Sequence, residues 1–463
     1  MISMKASKIA EVIGGTLKGS DVDVTAPAFL SSADCVPGSL FLAIKGEKVD
    51  GHNFIGDAFA HGAVLALTTA DVAENAVVVD DVTQAIGKLA GYVRDQLTEL
   101  SVIGITGSQG KTTTKELLLA ILSAEGNTIA TKGNNNNELG VPLTLLRCAT
   151  DTRYCIVEIG ARHLGDIAAL AKIAKPDIGV VLRVAEAHLG EFGSIEKIAE
   201  TKSEMISSLS RDGIAILGEY DPFTTAMRKL HQGEVLTFGE TSTASIRATD
   251  IELREGRAYF DLVTPEGRST VALRLYGLHQ ISNALAAAAV AHALGISTDH
   301  IAGQLSIAEM GAKWRMDVRD LNDLILINDA YNASPDSMAA ALTTLAHLSQ
   351  ERGGESWAFL GNMRELGESG AQAHAEIGRL ASDLGIDHLV TVGASDYRDG
   401  VGASTVLHQC ADRSEALAVA EHINRGDVVL CKASRSDRLE LLADEIEVMW
   451  SKKISSESEE GVK

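Results

Sequence analysis

Val102 to Leu122 reads VIGITGSQGKTTTKELLLAIL. An apolar run, a glycine-containing turn and an amphipathic stretch follow one another, the order of a buried strand, a tight loop and a helix. The turn closes on Gly110-Lys111-Thr112, the end of a nucleotide-binding P-loop, but the usual pattern places a glycine where this chain has Ile105. The loop is therefore a shorter G-x-x-G-K-T form. Its chemistry still suits an anion. Gly107 and Gly110 let the backbone approach without a Cβ, and the amides around Ser108 and Gln109 point with the positive helix end at one place. Lys111 reaches terminal phosphates, and Thr112, with Thr113 beside it, offers a hydroxyl to Mg²⁺. A plain strand–helix turn carries the same triplet, so the strand before it and the KTTT run after it decide for a nucleotide.

Outward from this loop, YCIVEIG, IGVVLRV and GIAILG are further apolar runs separated by helical stretches such as SIEKIAETKSEMISSL. Strands apolar on both faces belong in a parallel sheet covered by helices. From about 244 to 276 the period becomes two, which predicts an antiparallel insertion. The helical run NALAAAAVAHALG follows, and a second α/β series begins near 318 with DLILIND, WAFLGNM, HLVTVGA and DVVLCKAS. The predicted fold class is α/β in three domains. A small α/β N-terminal domain (1–97) precedes a central P-loop ATPase-type parallel sheet with an antiparallel insertion (98–317) and a C-terminal Rossmann-like domain (318–463). The tail SSESEEGVK reads as frayed.

The 463 residues carry a formal charge of −22, which argues against a general nucleic-acid surface but not against one nucleotide in a pocket. Five scattered cysteines without metal spacing fit reduced thiols. The N-terminus lacks the apolar run of a signal peptide, and no stretch is long and apolar enough for membrane insertion, so a cytoplasmic, monomeric protein is expected.

Three residues stand after successive strands on the edge where Lys111 sits. Glu158 ends YCIVEIG, His188 follows IGVVLRV, and Lys202 lies on the next helix. Taken singly they are a surface glutamate, a loop histidine and a helix-face lysine. Together they occupy the edge where open α/β sheets bind ligands.

These residues resemble the Mur ligase family of ATP-dependent amide ligases in peptidoglycan precursor synthesis, over essentially the whole chain. T-G-S-Q-G-K-T-T matches the family's variant P-loop, which lacks the early glycine. The resemblance implies metal-binding roles for Thr112, Glu158 and His188, and a carbamate on Lys202, with two Mg²⁺ sites. It implies nucleotide contacts from Asn283, Arg315 and the third-domain residues Asp329 and Asn332 in INDAYNASPDSM, where Ser334-Pro335 also reads as an N-cap and first helical residue. TKGNNNNELGVPLTLL, GNMRELGE with His374 downstream, and CKASRS look like the members that add D-alanyl-D-alanine to UDP-N-acetylmuramoyl-tripeptide. On that likeness Lys45, Asn134, Asn136 and Asn137 are candidate substrate residues, and Lys432, Ser434 and Arg435 candidates for the dipeptide carboxylate. The chain departs from the pattern at Ser31-Ser32-Ala33, where D-S-R is usual, and at Gln280, Asn362 and Ala433. The expected reaction runs through an acyl phosphate. A ligase for another amine or acceptor, and a nucleotide-binding protein without catalysis, are the competing readings.

Overall fold

The structure is a computed structural model that describes residues 1–185, 192–309, 311 and 313–460. Their contacts divide the chain into two compact units, Met1–Arg183 with Ala199–Phe238 and Ala286–Ile296, and Val184–Ile198 with Gly239–Leu285 and Ser297–Lys463.

Among the described residues the first unit holds two larger sheets and the two-stranded pair Met4–Lys5 with Asp23–Val24. Near the N-terminus, strands Thr16–Lys18, Ala76–Val78, Ala63–Thr68, Ser39–Leu42 and Ala28–Phe29 lie side by side in that order. Only the first pair is antiparallel. The helix Val82–Gln96, capped by the Asp81 carboxylate on Gln84 N–H, packs against helices Gly140–Leu145 and Asp166–Ala174. The other sheet runs Glu234–Gly239, Ile214–Gly218, Ile178–Val181, Ser101–Thr106, Tyr154–Glu158, Thr128–Ala130, each pair parallel. These strands are the apolar runs of the sequence, and Tyr154–Glu158 and Ile178–Val181 are buried throughout. After Ser101–Thr106 the chain builds first on one side of that strand and then on the other. This makes its C-terminal end a topological switch point, where an open α/β sheet leaves a crevice.

In the second unit, Ile246–Arg254, Arg257–Thr264 and Gly267–Tyr276 form an antiparallel meander, as the period of two requires. Along Arg257–Thr264, Ala258, Phe260, Leu262 and Thr264 are buried and alternate with partly exposed neighbours. The polyalanine run predicted as a helix is Gln280–Ala293, with Ala284 through Ala291 fully buried; such a helix, apolar all round, belongs inside a protein. The C-terminal sheet runs Asp317–Asp320, Ile325–Asn328, Val428–Lys432, Ser356–Leu360, His388–Val392, Val406–Cys410, parallel except for the first pair. Ile327, Ala358 and Leu430 pack on one face and Leu326, Phe359 and Val429 on the other, so alternate residues feed two cores.

Two local expectations are corrected. The strand Asp317–Asp320 was missed because DVRD is polar; Arg319 is held there by Asp317, Asp444 and Glu447. The tail read as frayed from Ser455 continues the helix Glu440–Glu460. All five cysteines are buried and unbridged, and no helix among the described residues is long and apolar enough to cross a membrane.

Candidate active site

The strand Ser101–Thr106 delivers the chain to Gly107, whose φ of +154° and close neighbour exclude a side chain: a Cβ would stand 2.9 Å from Leu182 Cβ. Gly110, at φ +82°, is the N-cap residue of helix Lys111–Ser123. The turn is braced by Ser108 N–H donating to Arg183 O at 3.0 Å. Lys111 Nζ folds over the loop to Gly107 O at 2.8 Å, where its cation covers the glycine turn. Glycines, a positive helix end and a lysine meet here as the sequence predicts.

Glu158 pairs with Ile105 on the adjacent strand and is 1% exposed. Thr112 Oγ1 donates to its Oε2 at 3.0 Å, and Asn136 Nδ2 donates to its Oε1 at 2.9 Å. Glu158 N–H in turn donates to Thr131 Oγ1 at 3.0 Å. Two donors thus hold the carboxylate at the mouth of the loop, and a third bond fixes its backbone. Gly160 makes room for this, since a Cβ there would stand 2.7 Å from Asn136 Oδ1. Asn137 Oδ1 accepts from Gly140 N–H at 3.1 Å where helix Gly140–Leu145 begins, and Asn134 is exposed on the same loop.

Lys202 lies on helix Ile195–Ser207 and is 7% exposed. Burial, reinforced by the Lys111 cation, pushes its ammonium down to about 7. His188 falls outside the described residues.

These groups fit a nucleotide with a divalent cation. Among the described residues no group of three His, Cys, Asp or Glu side chains could hold a metal by itself. Mg²⁺ at a phosphate site needs no such cage, because it takes one or two protein oxygens and fills its shell with phosphate and water. The buried Thr112–Glu158 pair beside the anion nest is that kind of donor set.

Lys45 is exposed in a turn where it bridges Asp50, and Gly51 is required because a Cβ would stand 2.7 Å from Ile44 O. His52 bonds Asp50 at 2.6 Å and holds its carboxyl below the usual range. The departing residues Ser31-Ser32-Ala33 enter a short 3₁₀ turn, Ser32–Asp34.

In the second unit, Lys432 Nζ donates to Asp329 Oδ2 at 2.5 Å and to Asn332 O at 2.9 Å, and Met316 N–H donates to Asp329 Oδ1 at 3.0 Å. Arg315 lies over the Tyr331 ring at 3.9 Å, and Arg435 over Trp314 at 4.3 Å while also pairing with Glu440. Helix Pro335–Arg352 starts as predicted, with Ser334 N–H donating to Ser337 Oγ at 2.9 Å. Ser434 Oγ accepts Arg364 N–H, and buried His374 accepts Met363 N–H through Nε2, both at 2.9 Å.

Asn283 Nδ2 donates to Gln280 Oε1 at 2.9 Å, and Gln280 Nε2 lies 2.9 Å from His279 Nε2. Burial holds the His279 imidazole down to about 4, with Asp329 opposing and Lys432 reinforcing the shift. Sequence reasoning missed His279, Thr131 and Gly160. The histidine is the first residue of HQISN (279–283), next to the Gln280 it contacts, but the other two reveal themselves only when the loop around 131–137 is brought against Glu158.

Three family profiles match in succession: "Mur ligase family, catalytic domain" over residues 29–94, "Mur ligase middle domain" over 105–291, and "Mur ligase, glutamate ligase domain" over 314–435. The chain is 39% identical to the UDP-N-acetylmuramoyl-tripeptide–D-alanyl-D-alanine ligase of Mycobacterium tuberculosis strain H37Rv, across 96% of this chain and 98% of that protein. It is 35% identical to the ligase of the same name from Escherichia coli K12, across 95% and 97%. Among solved structures it is similar to MurF from Acinetobacter baumannii, with TM-score 0.88 and 35% identity over 96% of this chain and 99% of that one. The MurF ligase of Thermotoga maritima in complex with ADP aligns with TM-score 0.81 and 30% identity over 93% and 99%.

Proposed function

The chain belongs to the Mur ligase family, and from that premise we propose that it uses ATP to join D-alanyl-D-alanine to UDP-N-acetylmuramoyl-tripeptide, in peptidoglycan precursor synthesis. The observation that carries this reading is the buried Thr112–Glu158 pair at the mouth of the glycine turn, in a chain whose relatives of that activity match it from end to end.

A carboxylate is a poor electrophile. The terminal carboxylate of the tripeptide first attacks the γ-phosphorus of ATP, releasing ADP and leaving an acyl phosphate. The free amine of the dipeptide then attacks the acyl carbon, phosphate departs, and an amide remains. The protein's share is positioning and charge neutralisation, as in other phosphoryl transfers. The amides at the helix start, from Gly110 to Thr113, hold the phosphates, and Lys111 moves from Gly107 O onto the β- and γ-oxygens. Thr112 and Glu158 would hold Mg²⁺, which when bound neutralises charge developing on the transferred group. Asn283, Arg315, Asp329 and Asn332 are assigned to the nucleotide on the family likeness. Asn134, Asn136, Asn137 and Lys45 serve the uridylyl-peptide, while Lys432, Ser434 and Arg435 serve the dipeptide carboxylate. The functional domains divide near residues 97 and 317.

Lys202 is proposed to carry a carbamate and, with His188, to serve a second Mg²⁺. A lysine whose ammonium is driven down to about 7 is substantially neutral near pH 7, and the neutral amine is the form that adds to CO₂ with loss of a proton. The resulting anion suits a site that an ammonium would oppose.

The test is phosphate release from ATP with UDP-N-acetylmuramoyl-tripeptide, with and without D-alanyl-D-alanine. The proposal expects turnover only with the dipeptide. Release that ignores the dipeptide and answers to another amine would sink the specificity, and tight ATP binding without turnover would sink catalysis.

A further inference from the structure

One turn beyond Thr112 on the same helix lies Lys115, which no part of the proposed chemistry uses. It is 1% exposed, and lysine is almost never buried so completely without partners. Its Nζ donates to Thr131 O and Gly133 O, both at 2.8 Å, and pairs with Glu116 at 2.9 Å. Those two carbonyls belong to the start of the TKGNNNN loop, where Thr131 is buried and Gly133 exposed. A buried carbonyl without a donor is costly, and the ammonium satisfies that of Thr131 while also tethering Gly133 O.

The two bonds converge on one residue, Glu158, through its backbone N–H and its carboxylate. Thr131, held through its carbonyl, offers Oγ1 to Glu158 N–H at 3.0 Å. Gly133, held in the same way, begins the turn that carries Asn136 back to Glu158 Oε1 at 2.9 Å. The turn is then locked by Gly160 N–H on Asn136 O, also at 2.9 Å. Lys115 therefore stands behind two of the three grips on Glu158, and the third, Thr112, is three residues before it on its own helix.

We propose that Lys115 is a positioning residue for the divalent-cation site: it fixes the asparagine-rich loop and through it the orientation of Glu158. Its own ammonium does not contact the nucleotide. This rests on the reading of Glu158 as a metal ligand. Outer-shell partners of that kind typically change metal affinity by about 10–100-fold when removed.

The experiment measures Mn²⁺ binding to the full-length protein in the presence of a non-hydrolysable ATP analogue, from the paramagnetic signal of free Mn²⁺. Wild type is compared with Lys115→Met, which keeps the volume and loses the donors, and Lys115→Arg, which keeps cation and donors. Melting temperatures without ligand establish that each variant is folded. The expected result is Mn²⁺ affinity weakened about 10-fold or more in the Met variant and largely restored in the Arg variant. Turnover should split accordingly, with kcat of the Met variant recovering as Mg²⁺ is raised. Should the Met variant not fold, Lys115→Gln, which keeps one donor group, carries the same comparison. Unchanged Mn²⁺ affinity in a folded variant, even with a lowered melting temperature, would make Lys115 merely structural and overturn the inference. Wild type failing to bind Mn²⁺ with the nucleotide would instead overturn the reading of the site itself.

Discussion

Thr112 Oγ1 donates to Glu158 Oε2 across 3.0 Å, joining the first turn of the P-loop helix to the last residue of the neighbouring strand. Thr112 is 4% exposed and Glu158 1%, so the carboxylate stands in place before any ligand arrives. A preorganised charge of this kind costs no reorganisation at the moment of reaction.

Glu158→Gln keeps the shape and an oxygen for Thr112 to donate to, while losing the charge. Turnover should fall roughly 10²–10³-fold, the usual loss when one preorganised electrostatic partner is removed. Folding should survive. The check is kcat across a Mg²⁺ titration together with a thermal melt; a variant within a few-fold of wild type at low Mg²⁺ would remove Glu158 from the metal site.

Lys202 yields a prediction with a definite sign. Its folded value is about 7 against an ordinary 10.5, lowered first by burial and then by Lys111. Between those values the unfolded chain holds a proton that the folded chain lacks, so without CO₂ this lysine lowers stability progressively as pH falls from 10.5 to 7. In CO₂-depleted buffer, Lys202→Met should therefore gain more in melting temperature over wild type at pH 7 than at pH 10. With CO₂ present, turnover of the wild type should rise. Lys202→Ala should lose turnover and regain part of it from added acetate, without needing bicarbonate. Full activity of the Ala variant would dispose of the carbamate.

The P-loop could be read from the sequence because its requirements are local: glycines at fixed positions, a lysine, a hydroxyl and a strand before the helix. The two cores of the C-terminal sheet were legible for a related reason, since runs such as WAFL and VVLC can only be buried on both faces. The grip on Glu158 was not. Asn136 and Thr131 reach it only after a loop folds back against it, and Lys115, which holds that loop, has in KTTTKELLL the spacing of an ordinary exposed helix residue. Asp317–Asp320 stayed hidden because its polar residues are satisfied by charges more than a hundred residues away.

His279 should leave a trace in acid stability. Its imidazole is held near 4 rather than 6.5, by burial above all. Between these values the unfolded chain takes up a proton that the native chain refuses, so stability falls as pH drops from 6.5 to 4. His279→Gln should flatten that part of the profile, and melts at pH 6.5, 5 and 4 would show it. A wild-type slope that persists unchanged in the variant would assign the acid sensitivity elsewhere.

Asp329 and Lys432 form an enclosed ion pair beside the C-terminal sheet, with side chains 13% and 2% exposed. A buried pair adds little over an apolar replacement, but removing one partner strands the other. Asp329→Ala leaves the ammonium with only Asn332 O and the more distant Asp329 O, and should cost about 3–5 kcal/mol in urea unfolding. Lys432→Met in the same chain should return much of that loss, because the stranded cation is gone. Because Asp329 and Lys432 are both assigned to substrates, turnover should remain absent in the double variant although stability has recovered. Recovery of both together would mean that neither Asp329 nor Lys432 is needed for turnover and that the pair serves folding alone. An Asp329→Ala variant as stable as wild type would mean that the ammonium finds water or another acceptor, and the pair would then carry no weight in the fold.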